Sequence, residues 1–161
     1  MDVKLLKATT DDAPRLLEMR KICFAPHLQR YQDYETNPAM VTVERILWLI
    51  ENENYYKILY SGVCVGAINI RKLDDLGGYK LHIIYVLPGY QGKGIGQSAI
   101  CLAEKLFPEA KKWRLKTLED MPANRHVYEK MGYSFTGKTE GINEKLTLVC
   151  YEKAAGECQG N

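Results

Sequence analysis

Val86-Leu87-Pro88-Gly89-Tyr90-Gln91-Gly92-Lys93-Gly94-Ile95-Gly96 is the stretch on which the reading of this chain turns. A strand-like run, Leu81 to Val86, stops at Pro88. Alternating glycines at 92, 94 and 96 follow, and a helical pattern opens near Ile95. Glycine takes backbone angles closed to other residues and lets a ligand approach the main chain. The first amides of a helix have no partner inside it, and the helix dipole favours an anion there. The stretch reads as a phosphate cradle made of backbone, and it points to a phosphorylated cofactor rather than a metal or a protein nucleophile. Two better-known glycine loops are excluded by spacing. Lys93 is followed by Gly94 and Ile95, not by Ser or Thr, and the third glycine slot of G-x-G-x-x-G is Gln97. The pattern that fits is Q-x-x-G-x-G, at Gln91, Gly94 and Gly96. Taken alone, it also suits a strand-to-helix turn that binds nothing.

Outward from the loop, the pattern of the chain predicts alternating elements. Val3 to Lys7 reads as a strand. Thr10 to Pro14 is a helix start, and Leu16, Leu17, Met19, Arg20 and Cys23 carry its period. Phe24 to Met40, rich in aromatic and polar residues, ends in the loop signal Asn37-Pro38. A second helix follows at 43–51, then a hairpin of strands 55–60 and 63–71 around Ser61-Gly62. Next come a strand at 79–86, a helix at 95–107 broken by Pro108, a strand at 113–118 and a helix at 122–131. Two closing strands, 133–138 and 145–152, end the pattern. Strand 81–86, helix 95–107 and strand 113–118 make a βαβ unit, so those strands should be parallel with a right-handed crossover. The remaining strands are joined as hairpins. The expected class is α/β in the mixed sense: a mostly antiparallel sheet with one parallel pair and helices on both faces. Residues 1–153 are expected to form one domain and 154–161 a frayed tail.

Composition narrows the classes further. The chain has 161 residues, 46% apolar and 26% charged, with a formal charge of +2. That is ordinary for a globular domain and argues for neither nucleic acid nor a membrane surface as partner. Lys111, Lys112, Arg114 and Lys116 are read as a solvated strand entry. The five cysteines lack C-x-x-C spacing and are odd in number, which speaks against a disulfide framework and a zinc site. A reducing, cytoplasmic setting is the corresponding expectation. The start lacks the apolar core of a signal peptide.

A second segment, Asn124-Arg125-His126-Val127-Tyr128-Glu129-Lys130-Met131-Gly132-Tyr133, stands about thirty residues after the loop. Together the two resemble the GNAT superfamily of N-acetyltransferases over residues 3–153. In that family Q/R-x-x-G-x-G/A holds the coenzyme A pyrophosphate, and a later helix ends in Tyr-Glu-Lys-x-Gly-Phe/Tyr. The resemblance implies a sheet whose central strands splay around acetyl-CoA, with no metal. Acetyl transfer would then run by direct attack of a primary amine, without an acyl-enzyme. It assigns the coenzyme to Gln91, Gly92, Lys93, Gly94, Ile95 and Gly96, and the pantetheine to backbone at Ile84 and Val86. Tyr128 becomes the acid that protonates the departing thiolate; an ordinary phenol pKa near 10 suits that role. The family's asparagine seven residues before this tyrosine is here Met121, so Asn124, four before, is the substitute candidate or merely a helix-start residue.

His82 is the first candidate base, set by strand alternation on the face of Ile84 and Val86. Glu119 is the second, and a histidine satisfied in the core is the plainer alternative. The acceptor site is expected between the first two helices. There Asp33 and Glu35 would attract a cationic amine between Tyr31 and Tyr34, unless the stretch is an amphipathic helix with its acids in water. A small-molecule amine is the expected acceptor. A peptide N-terminus or a non-catalytic acyl-CoA-binding module is the alternative, and the state is monomer or homodimer.

Overall fold

The computed structural model describes residues 1–156. Seven strands form one sheet in the order β1-β2-β3-β4-β5-β7-β6. The strands are β1 (Val3–Lys7), β2 (Asn54–Tyr60), β3 (Val63–Lys72), β4 (Gly78–Val86), β5 (Lys112–Leu118), β6 (Ser134–Gly141) and β7 (Thr147–Ala154). Helices α1 (Ala13–Tyr31) and α2 (Val43–Asn52) cover one face, with Leu16, Met19, Ile46 and Leu49 packed on Tyr55, Ala67 and Tyr85. Helix α3 (Ile95–Leu106) and the end of α4 (Pro122–Lys130) cover the other, where Ile95, Ala99, Ile100 and Met131 meet Ile68, Ile70, Trp113 and Tyr151. None of the helices among the described residues is long and apolar enough to cross a membrane.

The pairing between β4 and β5 positions the site. It is parallel, as the βαβ unit requires, but it extends only over Gly78↔Lys112, Tyr79↔Trp113 and Lys80↔Arg114. Beyond Lys80 the two strands part, while β5 stays paired with β7 to Leu118↔Leu148. The edge of β4 from Leu81 to Val86 is thus left without a neighbouring strand.

Three departures from the sequence reading have physical causes. First, α1 continues through Pro26 to Tyr31, beyond Cys23, the last residue read for its period. Pro26 removes one helical hydrogen bond. Packing outweighs it: Phe24 stacks near His27 and His27 near Tyr31, at 6.0 and 6.2 Å, and Tyr31 is buried. Second, β7 reaches Ala154, and the Ala155 amide donates to the Lys111 carbonyl at 3.0 Å, so pairing passes the boundary expected at 153. Of the expected tail, 157–161 lie outside the described residues. Third, Cys23, Cys64 and Cys150 are free thiols, but Cys101 is disulfide-bonded, against the expectation from cysteine spacing.

Candidate active site

A cleft of about 540 Å³ opens where β4 and β5 part. Leu81 to Ile84 form one wall and Leu115 to Leu118 the other, with Asn124 and Tyr128 of α4 and the C-terminal half of α1 closing it. Asn124 and Tyr128 are four residues apart on one helix, so they share a face, and both border the cleft.

The Tyr128-to-Tyr133 segment has a structural logic of its own. The Tyr133 amide donates to the Tyr128 carbonyl and the Gly132 amide to the Glu129 carbonyl, at 3.0 and 3.1 Å. Gly132 holds φ +100°, the left-handed angle that glycine takes without a Cβ penalty. This is a Schellman ending, with its customary contact across the turn: the Tyr128 and Tyr133 rings meet edge-on at 6.2 Å. The ending is tied down by a buried network. Tyr133 donates to Glu104 at 3.0 Å, and the Lys153 ammonium reaches Glu104 at 2.9 Å and the Met131 carbonyl at 3.2 Å. The Tyr128 hydroxyl takes no hydrogen bond among the described residues, and burial pushes its phenol above the ordinary range. It is a protonated donor facing the cleft.

The glycine loop does not line this cleft; it lies beside it, on the far side of Ile84. Gly94 caps α3 at φ +80°, and the first in-helix bond recorded at this end runs from the Ser98 amide to the Gly94 carbonyl. The amides of Ile95, Gly96 and Gln97 precede that bond, and the dipole of α3 adds to them. A Cβ on Gly96 would lie 4.0 Å from Ile84, so the loop abuts the free edge of β4. Gln91 braces the turn rather than reaching outward: its side chain donates to the Val86 carbonyl at 2.8 Å. Cys23 approaches the same carbonyl at 3.4 Å, which leaves Ile84 the more open of the two expected pantetheine anchors. Lys93 lies over the Tyr90 ring at 5.9 Å. A free strand edge ending at helix-start amides fits a long ligand with a phosphate at one end.

His82 lines the cleft, but strand alternation does not put it there. Asn69 pairs with Ile83 and Ile70 with Leu81, so His82 is the extra residue of a β-bulge. Alternation resets across it: Leu81, Ile84 and Val86 pack with the α3 core, Ile83 and Tyr85 with the α1–α2 core. Burial first, then Arg71 and Lys80, push the His82 imidazole down to about 4. Its Nδ1 is buried without a hydrogen-bond partner among the described residues. Glu119 is exposed outside the cleft, its carbonyl accepting from Arg125 at 3.3 Å.

The expected acceptor residues divide. The Asp33 carboxylate accepts from the Thr36 amide at 2.9 Å, the Glu35 amide at 3.3 Å and the Thr36 hydroxyl, so it closes a turn. Glu35 borders the cleft, whereas Tyr34 is 61% exposed and does not. Tyr31 is a wall residue held by its hydroxyl, which donates to Asp120 at 2.6 Å. Asp120, which also pairs with Arg30 at 3.2 Å, went unnoticed in the sequence, where nothing sets it apart from other loop acids. Arg20, read only as part of the period of α1, also lines the cleft.

Comparison with known proteins agrees with this architecture. A model of the acetyltransferase (GNAT) family matches residues 13–133. A search of curated proteins finds no match. Similar solved structures include the PaiA N-acetyltransferase of Thermoplasma acidophilum in complex with coenzyme A, at 16% identity and TM-score 0.74 over 96% of this chain and 100% of that one. The yncA protein of Salmonella typhimurium with its cofactor acetyl-CoA has 15% identity and TM-score 0.71 over 98% and 96%. The ribosomal-protein-alanine N-acetyltransferase of Brucella melitensis has 17% identity and TM-score 0.70 over 96% and 100%. At these identities the structures show a shared fold, and the family match carries the assignment. The chain belongs to the acetyltransferase (GNAT) family and is an acyltransferase.

Proposed function

We propose that the chain transfers the acetyl group of acetyl-CoA to a primary amine of a small molecule. The observation that carries this reading is the cleft where β4 and β5 part, with a protonated tyrosine on its wall and helix-start amides adjoining it at Ile84. The amides of Ile95 and Gly96 would hold the coenzyme phosphates beside Gly94, where the Met1 side chain, 3.4 Å from the place of a Cβ, would have to move aside. The β4 edge at Ile84 would hold the pantetheine, and Asn124 would support it from α4. Acetyl-CoA supplies an acetyl group on a thioester, so transfer forms one C–N bond, breaks one C–S bond and moves one proton from nitrogen to sulfur.

This chain's own residues handle that proton and the geometry. Tyr128, kept protonated by burial, delivers a proton from Oη to the departing sulfur. His82 is neutral near pH 7, because burial and neighbouring cations disfavour its charged form. A neutral imidazole at the cleft can accept a hydrogen bond from the amine directly or through water; at about 4 it is a weak base, so it takes the proton only once attack on the thioester has made the N–H acidic. The walls hold amine and acyl donor together, which makes the step effectively unimolecular. Thiol release from acetyl-CoA against a panel of amines tests the reading. Amine-dependent release that drops sharply in Tyr128→Phe is expected; coenzyme binding with no turnover on any amine would mean a binding module.

A further inference from the structure

The charges in the cleft do not suit a simple cationic amine. Asp33 is committed to its turn, and Glu140 is paired with Lys116 at 2.6 Å. What remains along the walls is Glu35 against Arg20, Arg45 and Lys80. Arg20 stands out among them. It is only 3% exposed, yet it borders the cleft. Its guanidinium donates from Nε to the Tyr55 hydroxyl at 3.2 Å and also interacts with the Tyr85 hydroxyl. The Tyr55 hydroxyl is 2.9 Å from the Tyr85 hydroxyl, which donates onward to the Leu16 carbonyl at 3.4 Å. No ion pair of Arg20 occurs among the described residues. The residue itself is among those that line the cleft.

A guanidinium stays charged at any physiological pH, and a buried charge is costly unless it is paired. The tyrosine chain engages Nε and thereby fixes the plane of the group. With no ion pair among the described residues, the guanidinium keeps a planar fork that matches a carboxylate bidentately. We propose that Arg20 is a specificity residue that binds a carboxylate of the acceptor, and that the acceptor is therefore a free amino acid. This rests on the amine-transfer reading above and names its substrate class. A cleft of about 540 Å³ shared with the acyl donor leaves room for amine and carboxylate on one small molecule. Lys80 and Arg45 add to the same field.

The test compares free amino acids with their C-terminal amides, by thiol release from acetyl-CoA. Rates are expressed per concentration of unprotonated amine, because the amide's amine is the weaker base. Charge-assisted pairing with Arg20 should favour the acid about 10- to 100-fold in kcat/KM. Arg20→Gln should bring that ratio near one, and Arg20→Lys should restore part of it. Equal turnover of acid and amide by the parent protein would overturn the inference while leaving amine transfer intact. An unchanged preference in a folded Arg20→Gln would also overturn it. Should that variant not fold, the parent ratio decides by itself. No thiol release with any amine would refute the transfer reading, and this inference with it.

Discussion

Lys153→Met is the substitution whose cost can be worked most fully from the structure. The ammonium is buried, with its side chain 5% exposed beside Glu104 at 8%. It contacts both Glu104 oxygens, at 2.9 and 3.0 Å, donates to the Met131 carbonyl at 3.2 Å and lies over the Tyr133 ring at 5.2 Å. A methionine fills much the same volume, so little cavity forms. What remains is a buried carboxylate whose one partner among the described residues is the Tyr133 hydroxyl, and a Met131 carbonyl without that donor. Breaking one side of such a pair costs about 3–5 kcal/mol, a large share of the roughly 5–15 kcal/mol that holds a domain. Replacing both partners, in Lys153→Met/Glu104→Leu, removes the stranded charge and should cost only about 1–2 kcal/mol, from the hydrogen bonds still lost. Urea unfolding of parent, single and double variants reads this directly. The double variant should be more stable than Lys153→Met. A single-variant loss below about 1 kcal/mol, or a double variant no better than the single, would refute the reasoning.

Tyr128→Phe keeps the ring that meets Tyr133, so stability should stay within about 1 kcal/mol of the parent while kcat falls about 100-fold or more with coenzyme affinity little changed; equal turnover across pH would remove the acid role. Gly94→Ala should cost about 1 kcal/mol, because φ +80° is left-handed. Gly94→Glu should in addition abolish coenzyme binding in calorimetry, since its carboxylate would sit where phosphate belongs; equal affinities for the two variants would contradict the cradle. For His82, a folded pKa of about 4 lies below the ordinary 6.5, so the unfolded chain takes up the proton first. Its share of stability is complete above pH 6.5 and is lost as pH falls through about 4. The loss is roughly 2–3 kcal/mol after allowance for partial exposure. His82→Gln should unfold with a flatter pH dependence between 7 and 4.5, and parallel urea curves would count against the buried, neutral imidazole.

The elements were legible where local chemistry and packing agree. Thr42 accepts from the Arg45 amide at 3.1 Å and starts α2 at the expected residue. The βαβ order around the glycine loop led to the parallel pair. The reading failed where tertiary packing outweighs a local rule. The period read for the first helix stops at Cys23, but the tilted ring contacts from Phe24 to Tyr31 carry α1 past Pro26. His82 shows the limit of alternation, because a bulge depends on the register of β3 against β4 and no short stretch encodes that. For the candidate site, Tyr128 and the glycines announced themselves by motif. Asp33 looked like an amine ligand because sequence does not show which donors already occupy a carboxylate. Arg20 looked like part of a helical period because nothing local says that its charge forms no ion pair among the described residues.

The most direct test of the account is thiol release from acetyl-CoA by the purified chain, with and without a primary amine, alongside coenzyme titration of Gly94→Glu. The account predicts release that depends on the amine, and loss of both binding and release in the variant. Saturable coenzyme binding unaffected by Gly94→Glu, or a parent protein that releases thiol equally without any amine, would contradict it.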